Sequence, residues 1–256
     1  MKRYIALALI AVFATAISIY ARGTNGDFQV ITVKSGENLD SIANKYLKSN
    51  RFKDDLLRYN RITAGDVKAG LNVKVPFSIS KDRAARIKFL KGTVQRNSGA
   101  GWVSVHRSGT VLLQNDVLKT GGNGQVEIQF DDGSLLKLSK NSRISLKQYS
   151  YSRKGRKSNI NLKSGSLFAN VNKLRRKSDF KVSTVTAVAG VRGTQFFVSI
   201  DKKEKVKVEV YKGQVDVNAK DKVVSVKSGQ QTVVKKGSSP SKPKKIRTKR
   251  RVKWAR

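Results

Sequence analysis

Two rhythms of apolar residues follow one another along this chain. Val30-Ile31-Thr32-Val33 alternates as a strand does and breaks at Ser35-Gly36, after which Leu39, Ile42, Ala43 and Tyr46 fall at helical spacing. Leu56, Leu57 and Asn60 end a second helical stretch, and Leu71-Asn72-Val73-Lys74-Val75 alternates again before Pro76. Asn38 or Asp40 can cap the first helix, and Asp54 and Asp55 suit the positive end of the second. The pattern predicts a small α+β unit of order strand, helix, helix, strand over residues 29–76.

From residue 86 to 235 the rhythm changes. Val126, Ile128 and Phe130 alternate with polar residues, Asp131-Asp132-Gly133 turns the chain, and Leu135-Leu136-Lys137-Leu138 runs back, which is a hairpin signal. Further short runs at Ile144–Leu146, Asn159–Leu162, Leu167–Val171, Phe180–Thr186, Gln195–Ile200, Val206–Tyr211, Gln214–Val217 and Val223–Val226 show no helical period. They predict an all-β antiparallel domain, sandwich or barrel-like, with one face of most strands buried. Residues 77–85 lie between the two units as a short linker.

Composition narrows the chemistry. The 256 residues carry 54 Lys+Arg against 17 Asp+Glu, a formal net charge of +37, with no cysteine and one histidine, His106. Disulfide scaffolds, thiolate metal sites and thiol catalysis are excluded, and His106 has no carboxylate or serine constellation near it in sequence. No cofactor, no metal and no enzyme activity are expected. Asp131-Asp132 reads as a solvated turn beside Gly133, and Trp102 as a core residue.

The first 21 residues read as a secretory signal peptide: Met1-Lys2-Arg3, an apolar run from Tyr4 to Tyr20, and cleavage after Ala21, with an uncleaved membrane anchor as the alternative. The mature protein is therefore expected outside the cytoplasm, in the periplasm or cell envelope. At the other end, residues 237–256 hold nine basic residues, no acid and two of the three prolines, and are expected to be a disordered tail. Basic clusters at Arg153, Lys154, Arg156 and Lys157, at Arg175, Arg176 and Lys177, and at Lys249, Arg250 and Arg251 suit an anionic partner. For an exported protein that partner is an anionic envelope polymer or lipid rather than nucleic acid.

The first unit resembles the LysM family of glycan-binding modules. The resemblance rests on Thr32-Val33-Lys34-Ser35-Gly36-Glu37-Asn38-Leu39, Ile42-Ala43, Asn60 and Gly70-Leu71-Asn72-Val73-Lys74-Val75-Pro76, with Glu37-Asn38 where the family has Asp-Thr. It implies binding of N-acetylglucosamine-containing glycan, hence peptidoglycan, in a shallow groove. One rim would be Gly36, Glu37, Asn38 and Leu39, the other Arg61, Ile62 and Thr63. Leu39 and Asn60 also have plain structural readings, as a core residue and a helix terminator.

The second unit is similar to the FecR domain, through Gly92-Thr93-Val94, Asp116-Val117-Leu118-Lys119-Thr120, Asp132-Gly133-Ser134, Gly165-Ser166-Leu167 and Ala189-Gly190-Val191-Arg192-Gly193-Thr194-Gln195-Phe196. That family contains periplasmic domains of regulators that sense an outer-membrane receptor and act on a sigma factor. Only Met1-Lys2-Arg3 precedes the apolar run here, so the sigma-directed role is not expected to carry over. Gly190 and Gly193 are expected to permit a tight bend, and Arg192 to be partly buried and paired. The two resemblances together imply a non-enzymatic envelope protein that binds peptidoglycan and presents a β-domain as scaffold or sensor for a protein partner. The alternative is an exported polyanion-binding protein acting through its basic loops and tail.

Overall fold

The computed structural model describes residues 28–99, 101–152, 155–173, 178–191 and 193–246. Its N-terminal unit is the expected strand, helix, helix, strand: β1 (Phe28–Thr32), α1 (Leu39–Tyr46), α2 (Lys53–Asn60) and β2 (Asn72–Pro76). β1 and β2 pair antiparallel from Phe28 opposite Pro76 to Thr32 opposite Asn72. The inward residues of both strands join Ile42, Ala43 and Leu47 of the first helical segment and Leu56 of α2 in a core of ten buried residues.

The β-domain opens with β3 (Arg83–Lys91), β4 (Val94–Asn97), β5 (Trp102–Ser104), β6 (Val111–Leu113), β7 (Val117–Thr120), β8 (Gln125–Phe130) and β9 (Leu135–Leu138). A long hairpin follows, β10 (Arg143–Ser152) and β11 (Gly155–Asn170). The remainder is β12 (Asp179–Ser183), β13 (Val188–Val191), β14 (Gln195–Ile200), β15 (Val206–Lys212), β16 (Gln214–Ala219), β17 (Lys222–Lys227), β18 (Gln230–Val234) and β19 (Lys244–Lys245).

These strands form two sheets that share β11. One runs β6-β3-β8-β9-β11-β14-β15-β18-β19. The other runs β5-β4-β7-β10-β11-β12-β13-β16-β17. Neighbours are antiparallel except β11 and β12, which run parallel. Among the described residues, inward side chains from both sheets make one cluster of 35 buried residues that includes Phe130, Phe180 and Phe196. Phe180 meets Phe130 edge-on at 6.0 Å between centroids, a favoured aromatic geometry.

The change of sheet happens at Gly165. Up to Ser164 β11 pairs with β10, and from Gly165 it pairs with β14. Gly165 has φ +78°, and a Cβ there would stand 2.5 Å from Ser142 Cα and 2.6 Å from the Asn141 carbonyl oxygen. Only a residue without a side chain can make this crossing. In the run Ala189 to Phe196, by contrast, the expected pair of bend glycines reduces to one. Gly193 has φ +68°, whereas Gly190 is an ordinary β13 residue opposite Asp216.

Residues 77–85, expected as a linker, are built into both halves. Phe77 is buried, Ile79 joins the small core, and Ala84 and Ala85 are β3 residues of the large one. The Lys48 amide donates to the Ile79 carbonyl at 3.0 Å and the Lys81 amide to the Tyr46 carbonyl at 2.8 Å, so the connection lies along the end of α1. Asp131, expected as a solvated turn residue, closes this junction. Its carboxylate accepts from Lys48 Nζ of the N-terminal unit at 2.7 Å and pairs with Arg83 of β3 at 3.0 Å. Burial pushes the Lys48 ammonium below the usual lysine range even though Asp131 pulls the other way. Because partly buried ion pairs add little net stability, this contact chiefly fixes orientation.

The start of the expected tail is also in the fold. Residues 237–246 return along β18: the Ser241 amide donates to the Val233 carbonyl, Thr232 Oγ1 to the Ser241 carbonyl, and β19 pairs with Gln230 and Gln231. Backbone hydrogen bonding to an open sheet edge needs no apolar side chain, so composition did not reveal it. Trp102 is likewise not core: it is 36% exposed on β5. The signal-peptide segment, Arg192, Arg153, Lys154, residues 174–177 and residues 247–256 lie outside the described residues.

Candidate glycan-binding groove

Two capped loops frame the small unit. At the first, Asn38 is the N-cap of α1: its Oδ1 accepts from the Ser41 amide at 2.9 Å, and the Asn38 amide donates to Ser41 Oγ at 2.8 Å. Reciprocal caps of this kind satisfy two otherwise orphaned amides. Glu37 folds back beneath the loop, accepting from the Lys34 amide and from Lys45 Nζ, each at 3.0 Å. The Lys34 amide first, and the Lys45 hydrogen bond second, hold the Glu37 carboxyl below its ordinary range. Glu37-Asn38 thus serves the loop's own architecture, with Glu37 tying the turn and Asn38 starting the helix. Gly36 and Asn38 are exposed, and Leu39 is half-buried against the small core.

The second loop follows α2. Arg61 takes the left-handed conformation at φ +54°, and the Ile62 amide donates to the Leu57 carbonyl at 3.2 Å, which terminates the helix. Thr63 and Asp66 then close a short turn, the Thr63 amide and hydroxyl each donating to Asp66 Oδ2 at 2.7 Å. The backbone donor, followed by the hydroxyl, lowers the Asp66 pKa. Arg61 and Thr63 are exposed, while Ile62 is half-buried against the same core as Leu39.

Each rim therefore combines exposed backbone and polar groups with one half-buried aliphatic side chain. That combination can hydrogen-bond an acetamido group and cover its methyl or a sugar face. Asn60 belongs to the scaffold: its amide donates to the Leu56 and Lys74 carbonyls, each at 2.8 Å, and accepts from the Lys74 amide at 2.7 Å, tying α2 to β2. Sequence reasoning missed Asp66 and Ser41, although Thr63-x-x-Asp66 and Asn38-x-x-Ser41 both have the spacing of a reciprocal cap.

Of the expected polyanion residues, Arg156 and Lys157 fall within the described residues. Arg156 and Lys157, placed by sequence in a loop, are strand residues of β11, opposite Tyr151 and Ser150 of β10. Buried carboxylates of the β-domain hold its turns and surfaces. Asp116 accepts from the Leu113 amide at 2.8 Å and from the Ser98 hydroxyl, and Glu127 pairs with Lys137 at 2.9 Å.

The family described as "LysM domain" matches residues 31–76, and that described as "FecR protein" matches residues 116–216. The chain carries a LysM domain followed by a FecR domain. Both are families of binding or regulatory domains. No curated protein matches the chain. Two crystal structures described as "a putative anti-sigma factor from Parabacteroides distasonis ATCC 8503", at 2.50 and 1.65 Å resolution, are similar at 19% and 20% identity with TM-scores of 0.44 and 0.43. In both cases 50% of this chain is covered and it spans 59% of the other. Among the described residues, no helix is long and apolar enough to cross a membrane.

Proposed function

We propose that the protein is a non-enzymatic component of the cell envelope that binds peptidoglycan through its LysM domain and presents the FecR domain as a scaffold or sensor for a protein partner. The observation that carries this reading is the pair of capped loops, Gly36 to Leu39 and Arg61 to Thr63, each backed by the same small core. Their proposed contacts are neutral hydrogen bonds and apolar cover, so binding should depend little on salt. The Lys48–Asp131–Arg83 junction supports the second half, because it gives the FecR domain a fixed attitude to whatever the LysM domain holds.

The test is co-sedimentation of the full chain with purified, protein-free peptidoglycan at low and moderate salt, beside Ile62→Ala. Retention that survives moderate salt and weakens in the variant supports the groove. Loss of all retention at moderate salt, with no effect of Ile62→Ala, favours the polyanion reading that the net charge of +37 keeps in play.

A further inference from the structure

Away from the groove, the outer face of the second sheet holds an exposed aromatic between two cations. Trp102 of β5 is 36% exposed and its neighbour Val103 63%. Lys119 Nζ lies 4.7 Å and Arg143 Cζ 5.0 Å from the centroid of the Trp102 ring. Lys119 of β7 and Arg143 of β10 are direct cross-strand partners, an arrangement in which like charges repel. Neither pairs with a carboxylate among the described residues. Gln95 continues the same row, opposite both Lys119 and Ser104, and Asn97 stands opposite Trp102, so the surroundings are neutral and polar.

Two cations without a carboxylate partner among the described residues face each other here, and only their contacts with the Trp102 ring offset the repulsion. An anionic sugar polymer would make use of every part. We propose that this face is a second carbohydrate site, separate from the LysM groove, for glycans bearing carboxylate or phosphate groups. The indole covers the C–H face of a pyranose ring while Lys119 and Arg143 hold the anion. In the free protein the π face of Trp102 partly offsets the charge of the two cations. An arriving anion takes over that role and frees the ring for the sugar.

The chain has two tryptophans, so Trp254→Phe leaves Trp102 as the sole indole reporter. In that background, fluorescence would be titrated with polygalacturonate, which carries carboxylates, with phosphomannan, which carries phosphates, with neutral chitohexaose, and with single-stranded DNA. A saturable change with polygalacturonate or phosphomannan is expected, the stronger of the two identifying the anion. Binding of that polymer, followed by sedimentation, should weaken about tenfold in Trp102→Ala, the scale of one lost aromatic stack, and partly recover in Trp102→Phe. Lys119→Gln/Arg143→Gln should weaken it and flatten its salt dependence. Chitohexaose binding should be the same in all variants, which separates failure here from failure of the LysM groove. All three variants replace surface side chains and should melt as the parent does. Equal binding of both acidic polymers by parent and variants, no fluorescence change with either, or DNA binding tighter than both with the same sensitivity to Trp102→Ala would each overturn the proposal.

Discussion

The LysM and FecR domains meet the same problem, holding loops and edges in place without disulfides, by different means. Among the described residues, the β-domain that contains the FecR match buries a cluster of 35 residues between two sheets that share a strand, while the core of the LysM domain has ten. With so little area to bury, the smaller domain relies on directed polar contacts: the Asn38–Ser41 and Thr63–Asp66 caps, the Glu37 tie and the three hydrogen bonds of Asn60. Apolar burial scales with area, whereas a cap contributes a similar amount whatever the size of the domain. The lesson is that the LysM rims can be altered by single polar changes, and the FecR domain by single changes of backbone shape or volume.

The largest effect should come from Gly165→Ala. The substituted Cβ would overlap the Asn141–Ser142 backbone at a positive φ, costing roughly 3–5 kcal/mol. Circular dichroism melting should show the FecR transition lost or greatly lowered while chitohexaose binding by the LysM domain survives. Loss of both together would show that the two domains fold as one unit.

Asp131→Asn addresses that junction directly. It leaves Lys48 and Arg83 half-buried without their carboxylate, at a cost of about 1–3 kcal/mol. Calorimetry should resolve two transitions further apart than in the parent. An unchanged thermogram would mean that the backbone bonds of Lys48 and Lys81 alone couple the domains.

Asn60→Ala removes two hydrogen bonds between α2 and β2 and one within α2, and should cost the LysM domain about 1–2 kcal/mol, read as a lower LysM transition with the FecR transition unmoved. The smallest effect is that of acid. Glu37 and Asp66 have folded pKa values below their unfolded ones, so their contribution is fully present above the unfolded values near 4 and is lost as pH falls through the folded ones. Peptidoglycan retention should therefore be flat from about pH 5 upward and decline below about pH 4, where protonation releases both loop ties. A decline centred near pH 6 would point to a different group.

Most of the architecture was legible because it is written in short-range patterns. The LysM elements follow from helical and alternating periods with turn residues between them, and the FecR hairpin at Asp131-Asp132-Gly133 from a local dipeptide signal. The full length of β10 and β11 was hidden because Lys147, Gln148, Lys157, Lys163 and Ser164 dilute the apolar alternation that marks a strand. The candidate groove residues came from the family resemblance, while Ser41 and Asp66, the partners that tie the rims, were missed although Asn38-x-x-Ser41 and Thr63-x-x-Asp66 have reciprocal-cap spacing.

By itself, then, the sequence determined the two domains, their order and their secondary-structure class, because each is written in patterns of residues close to one another along the chain. Tertiary structure alone decided that Gly165 is the crossing between sheets, that Asp131 reaches back 83 positions to Lys48, and that Lys119 and Arg143 converge on an exposed Trp102. Strand order in a sheet is set by which edges find each other once the core closes, and no local period records that choice. The same closure turned two acid residues of a hairpin turn to different work: Asp131 joins the domains, and Asp132 accepts from the Ser134 amide within its own turn.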